Sequence, residues 1–190
     1  LLACQSECDG MGNCYVRADA TGLGNGSSWA NACPGFTGDC APSNMTRGRT
    51  YWIARGTYEG TVFDTPASGA ALITLAAATA EKHGPAADWD NSFAGQAIFG
   101  ASTVATDDWI IDGQTRGLDW RSGYNIKFWN RANPKWYALG NSKTSVKNIT
   151  VKYVEIQGTN TAGPDYSDSG IMFYPSVDNL YVGYSWIHHV

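Results

Sequence analysis

A chain of 190 residues with 43% hydrophobic side chains is one domain in size and has ample material for a core, which excludes a disordered chain. Charged residues make up only 16%, the net charge is −4 and the 13 Lys and Arg are scattered, so no basic stripe exists to neutralise a phosphate backbone and nucleic acid is excluded as a partner. The 22 glycines, with 8 Trp, 10 Tyr and 6 Phe, suit short strands joined by tight turns, an all-β profile.

Cysteine sets the first segment apart. Cys4, Cys8, Cys14, Cys33 and Cys40 all precede residue 41, and none follows. They lack a paired C-x-x-C and no His lies nearby, so the zinc reading yields to disulfides and to an oxidising, extracytoplasmic compartment. An odd number leaves one thiol over. Leu1-Leu2-Ala3-Cys4 has the form of the end of a bacterial lipoprotein signal, which would make Cys4 a lipid anchor and leave Cys8, Cys14, Cys33 and Cys40 for two bridges of open connectivity. The other reading pairs Cys4 within the cluster. Residues 1–48 are read as a Cys-rich N-terminal region and cap, and 49–190 as the repeating body. Asn25, Asn44 and Asn148 open triplets that accept N-glycans in sources that glycosylate.

Short apolar or alternating runs then recur at 51–54, 71–75, 97–99, 109–111, 126–129, 149–156, 171–174 and 180–187, each of strand length and separated by turn-rich pieces. The Ala-rich piece at 76–83 predicts the only helix. No stretch is long and apolar enough to span a membrane. The decisive pattern is a repeat: Asn148 to Ile156 returns 31 residues later as Asn179 to Ile187, with Asn, Val, Tyr and Ile in register. A unit repeating at that period buries its apolar face by stacking on its neighbour. Ile149, Val151 and Ile156 are therefore expected to stack on Leu180, Val182 and Ile187, with Asn148 over Asn179 as a side-chain ladder at a turn. Trp109 to Gly113 reads as an earlier rung, with Ile111 matching Ile156 and Gly113 matching Gly158. Four or five coils are expected between Tyr51 and Val190. A β-sandwich is the alternative, but its hairpins need more two-residue Asn-Gly or Asp-Gly turns than the sequence has.

Residues 21–32 (TGLGNGSSWANA), followed by 47–54 (RGRTYWIA), 56–58 (GTY) and 110–114 (IIDGQ), resemble bacterial extracellular right-handed β-helix proteins of the pectin-lyase-like superfamily. The resemblance implies a right-handed, single-stranded parallel β-helix at the cell surface or outside the cell. It selects no activity, because the superfamily holds polysaccharide lyases, glycoside hydrolases, tailspikes, adhesins and surface proteins alike.

A lyase would need carboxylates on one face to hold Ca²⁺ and a cationic base. Asp107, Asp108, Asp112, Asp165 and Asp168, with Arg116, Arg121, Lys127 and Arg131, are the candidate groups, but Asp at turns usually bonds the backbone, and no catalytic, metal or cofactor residue is assigned. A glycoside hydrolase would need two carboxyl groups at a separation that sequence cannot supply. His188 and His189 are expected to alternate, one ring in and one out. Trp120, Tyr124, Trp129 and Trp136, interleaved with Arg131, are the candidate carbohydrate contacts, since sugar rings stack on aromatic faces and basic groups attract acidic glycans. Residues 186–190 carry no polar cap, so an open last rung is expected to meet another copy, as a homo-oligomer or filament, or further chain. The function expected is a structural or self-associating extracytoplasmic β-helix that contacts glycans, leaning away from catalysis. The alternative is a lyase or hydrolase of an acidic polysaccharide, with Ca²⁺ entering only under the lyase.

Overall fold

The computed structural model describes residues 8–131, 137–159 and 169–190. Three sides are built from parallel strands. Sheet A runs in the order β1 (Asn13–Val16), β2 (Thr50–Ile53), β5 (Ile73–Ala77), β8 (Trp109–Asp112), β11 (Val146–Lys152) and β14 (Val177–Gly183). Sheet B runs β3 (Gly56–Tyr58), β6 (Ala97–Phe99), β9 (Ile126–Trp129), β12 (Val154–Gln157) and β15 (Trp186–His188). The third side pairs β4 (Val62–Phe63) with β7 (Thr103–Val104) and β10 (Tyr137–Gly140) with β13 (Ser169–Met172), joined by a bridge from Ser102 to Leu139. The chain passes from side to side and returns one rung higher, which makes it a parallel β-helix, and parallel crossovers of this kind take the right hand. Five of these coils begin at β2, β5, β8, β11 and β14.

Like covers like along the axis. On sheet A, Cys14, Tyr51, Leu75, Ile111, Val151 and Val182 form one inward column. On sheet B, Tyr58, Phe99, Phe128, Ile156 and Ile187 form another. The rings of Tyr58 and Phe99 stack at 5.1 Å, as do those of Phe99 and Phe128. The expected partners of the repeat, Val151 with Val182 and Ile156 with Ile187, are neighbours across parallel strands. Period-2 alternation explains why: each strand sends alternate side chains into a core shared by all three sides.

The corner before Ile149 holds the expected ladder and lengthens it. Asn179 Nδ2 donates to Asn148 Oδ1 at 2.8 Å, and Asn148 Nδ2 donates to the buried carboxylate of Asp108 at 2.7 Å. Asp108, Asn148 and Asn179 have φ of 65°, 55° and 56°, a left-handed turn that Asx side chains tolerate better than other non-glycine residues. Asn148 therefore spends its amide inside the stack, which argues against its reading as a glycan acceptor.

Two expectations are corrected. Ile111 lies against Val151 and not Ile156, because Trp109–Asp112 belongs to sheet A; Phe128 is the residue that covers Ile156. The helix expected at 76–83 does not form. Ala76 and Ala77 end β5, paired with Trp52 and Ile53, since the ladder of a central strand outweighs the intrinsic preference of a helix too short to hold itself.

The N-terminal region is stapled by Cys8–Cys14 and Cys33–Cys40, and Cys4 lies outside the described residues. The two disulfides indicate an oxidising, extracytoplasmic location. β1 forms the first rung of sheet A, and Val16 bridges to Cys33. Trp29, in the 21–32 segment, is fully buried against Tyr15, Ala32, Ala54 and Ala78. Asp88 accepts from the backbone N–H groups of Trp29 and Ala30, and Trp29 Nε1 donates to the His83 carbonyl, so that segment is pinned to the long connection between β5 and β6. Arg47 ties further coils together. Its guanidinium donates to the carbonyls of Thr65, Pro66, Asp107 and Asp108 and to Thr106 Oγ1. No helix among the described residues is long and apolar enough to cross a membrane.

Candidate binding face on sheet B

The outward positions of sheet B form two columns. Thr57, Ile98, Lys127, Glu155 and Trp186 follow one another rung by rung, and beside them run Trp129, Gln157 and His188. At roughly 4.8 Å per rung, the first column places five side chains along a nearly straight line on one flank.

A polar cluster sits in the middle. Lys127 Nζ donates to Glu155 Oε1 at 2.7 Å, Gln96 Nε2 donates to Oε2 at 2.9 Å, and His188 Nε2 lies 3.1 Å from Oε1. Because an ionised carboxylate only accepts, that contact places the His188 proton on Nε2. Burial works to raise the Glu155 pKa, but the three donors and the Lys127 charge outweigh it, and the carboxyl lies below its ordinary value. Burial pushes the His188 imidazole down, and Glu155 holds it up only in part. The cluster is thus a carboxylate kept charged and saturated with donors, beside an imidazole kept neutral. Such a carboxylate is poorly suited to serve as a general acid.

Aromatic rings surround it. Trp186 stacks on His188 at 3.7 Å, and the Trp120 ring meets Trp186 edge-on at 6.3 Å. Trp120 is 52% exposed on the connection between β8 and β9. The Arg131 guanidinium lies 5.0 Å from the Trp129 ring centre and Lys127 Nζ 5.2 Å, while Arg121 lies 5.2 Å from Trp120. The structure therefore brings Trp120, Trp129 and Arg131 to one flank. Tyr124 is different: it is 2% exposed, and its hydroxyl donates to the Trp120 carbonyl, so it braces the loop and has no free face for a sugar. Trp136 lies outside the described residues.

The acids considered for a lyase are engaged elsewhere. Asp108 holds the Asn ladder, Asp107 Oδ1 accepts from the Lys147 backbone N–H at 3.0 Å, and Asp112 pairs with Lys152 at 3.0 Å while accepting from the Gln114 N–H. Asp107 and Asp108 precede β8 and Asp112 is its last residue, so all three belong to sheet A and its corners. Asp165 and Asp168 lie outside the described residues. The two terminal histidines do not alternate as expected. His188 faces outward, and the left-handed turn at His189, φ 55°, brings the second ring back against it.

Sequence reasoning missed Glu155, Gln96, Trp186 and His188 as members of one site. The signal was nevertheless present, since the 31-residue repeat sets Glu155 beside Trp186 and Gln157 beside His188. Comparison with known proteins finds no matching family model, no matching curated protein and no matching solved structure.

Proposed function

We propose that this chain is an extracytoplasmic β-helix of the pectin-lyase-like kind, at the cell surface or outside the cell, that binds an acidic polysaccharide along the outer flank of sheet B without cleaving it. The observation that supports the reading is the gathering of Trp120, Trp129 and Trp186 with Arg121 and Arg131 on the outer flank of sheet B. Flat rings offer the apolar faces of sugars a stacking surface, and the guanidinium groups match their carboxylates. The saturated Glu155 cluster beneath supports a binding face over a reacting one, because its groups already hold one another.

The test is isothermal titration with alginate, a polyuronate, against neutral dextran. Wild-type protein is expected to bind alginate and not dextran, and the Trp120→Ala/Trp129→Ala double variant, checked for fold by circular dichroism, is expected to lose binding. Equal binding by that variant contradicts the reading. Release of unsaturated or reducing ends from alginate supports the enzymatic alternative instead.

Self-association through the rung of β14 and β15 is a second reading with its own observation. The inward residues Leu180, Val182 and Ile187 are 38%, 37% and 41% exposed there, a surface that a parallel strand would cover, whether from a second copy or from a further coil of a longer chain. Sedimentation equilibrium separates the cases: concentration-dependent growth supports it, and a monomer at every concentration removes it.

A further inference from the structure

We infer that Arg55 forms a subsite for the carboxylate of a uronate residue at the N-terminal end of the sheet B face, an inference that rests on the polysaccharide-binding reading. A pocket of about 560 Å³ opens there, lined by Ala18, Asp19, Arg55, Thr57, Gln96 and Ile98, among others. Thr57 and Ile98 are the first two outward positions of the column that continues through Lys127 and Glu155, and Gln96 donates to Glu155. The pocket and the aromatic flank are therefore one continuous surface.

Charge within the pocket is unevenly spent. Arg17 pairs with Asp19 at 2.7 Å and lies over the Phe93 ring at 4.6 Å. Lys127, two rungs away, is held by Glu155. Arg55 is exposed and its side chain has no ion pair or hydrogen bond among the described residues, yet its base is fixed: its backbone N–H donates to the Phe93 carbonyl at 2.8 Å. Its stem lies along Gly95, where an added Cβ would come within 3.3 Å of Arg55 Cβ and 3.4 Å of Cδ. Arg17 Nε, in the adjoining recess that Arg55 also lines, is buried without a hydrogen-bond partner among the described residues. Asp19 is already neutralised, so the cation left to be satisfied is Arg55, and a guanidinium fork matches a planar carboxylate with two parallel N–H···O bonds. A glycan lying along sheet B would thus meet Arg55 near one end of the face and, near the other, Arg121 over the Trp120 ring that touches Trp186.

The experiment is isothermal titration of wild type, Arg55→Ala, Arg55→Lys and the Trp120→Ala/Trp129→Ala variant with alginate and with dextran sulfate. Arg55→Ala is expected to weaken alginate binding about tenfold or more, with Arg55→Lys between it and wild type because the charge remains and the fork is lost. Dextran sulfate, which has no carboxylate, is expected to bind Arg55→Ala and wild type within about threefold of each other. Unchanged alginate binding by Arg55→Ala, while the tryptophan variant loses it, overturns the subsite and leaves the face standing. An equal loss for both polymers overturns the carboxylate assignment. If the tryptophan variant also binds normally, the face itself has failed.

Discussion

Replacing Asn148 tests the stacking account at its most exposed joint. Asn148→Ala removes the donor to the buried Asp108 carboxylate and the acceptor for Asn179, and it forces a residue with an ordinary Cβ into φ 55°. A hydrogen bond to a charged group contributes about 1.5–3 kcal/mol and a neutral one about 1 kcal/mol. The left-handed backbone adds about 1 kcal/mol for Ala over a residue that tolerates it. The expected loss is therefore roughly 3–5 kcal/mol, a large share of the stability of a domain this size. Asn148→Gly loses the same side-chain bonds without the backbone penalty and should lie about 1 kcal/mol above the Ala variant. Asn148→Asp sets a second carboxylate against Asp108, so its defect should shrink as the pH is lowered and one of the pair is protonated. Urea unfolding followed by tryptophan fluorescence reads all three variants. A loss below about 1 kcal/mol for Asn148→Ala would refute the ladder as a stabilising element, and identical Ala and Gly variants would refute the backbone part.

Other outcomes follow from the same structure. Arg47→Lys keeps the charge but not the fork that joins four carbonyls from separate coils, and should cost about 2–3 kcal/mol in urea unfolding, since one ammonium cannot reach them all. Glu155 has a folded pKa below its ordinary value of 4.5, so its contribution is present above that value and is lost as the pH falls through the lower folded value. Glu155→Gln should then flatten the acid limb of the stability curve in that range, and an unchanged limb would contradict the cluster. His188 has a folded pKa below 6.5, so protonation works against the fold as the pH falls below that value; an NMR titration of its imidazole should give a midpoint under 6.5, and a higher midpoint would contradict the burial argument. Reducing Cys8–Cys14 and Cys33–Cys40, which close loops with separations of 6 and 7 residues, should lower stability by about 2 kcal/mol each in the chain-entropy view, read as a lower urea midpoint with thiol reductant.

The coil was legible because stacking leaves a periodic trace in sequence. The offset between Asn148 and Asn179 gave the register of the last two complete rungs of sheet A, since a repeated asparagine at a repeated turn can pass its amide N–H to the carbonyl oxygen of its copy one rung below. Earlier rungs were harder to place. Their connections differ in length, so Trp109 to Asp112 could be matched by its Asp-Gly ending to the wrong side of the coil, where only pairing partners tell sheet A from sheet B. Local propensity misled at Ala76 and Ala77, which pair with Trp52 and Ile53 of the neighbouring rung and so belong to a strand. The aromatic and basic segment was recognisable as a unit, but the sequence could not tell that Tyr124 turns under the loop while Trp120 stays out. The meeting of Glu155 with His188 went unnoticed because two residues 33 positions apart come together only after the chain has completed a turn.

The most direct measurement is a crystal structure of the protein with an alginate oligosaccharide. The account predicts a sugar chain lying along the outer flank of sheet B, with rings against Trp120 and Trp129 and a carboxylate at the Arg55 fork. Sugar bound on sheet A, on the third side or only at the β14–β15 rung, with the sheet B flank bare, would contradict it.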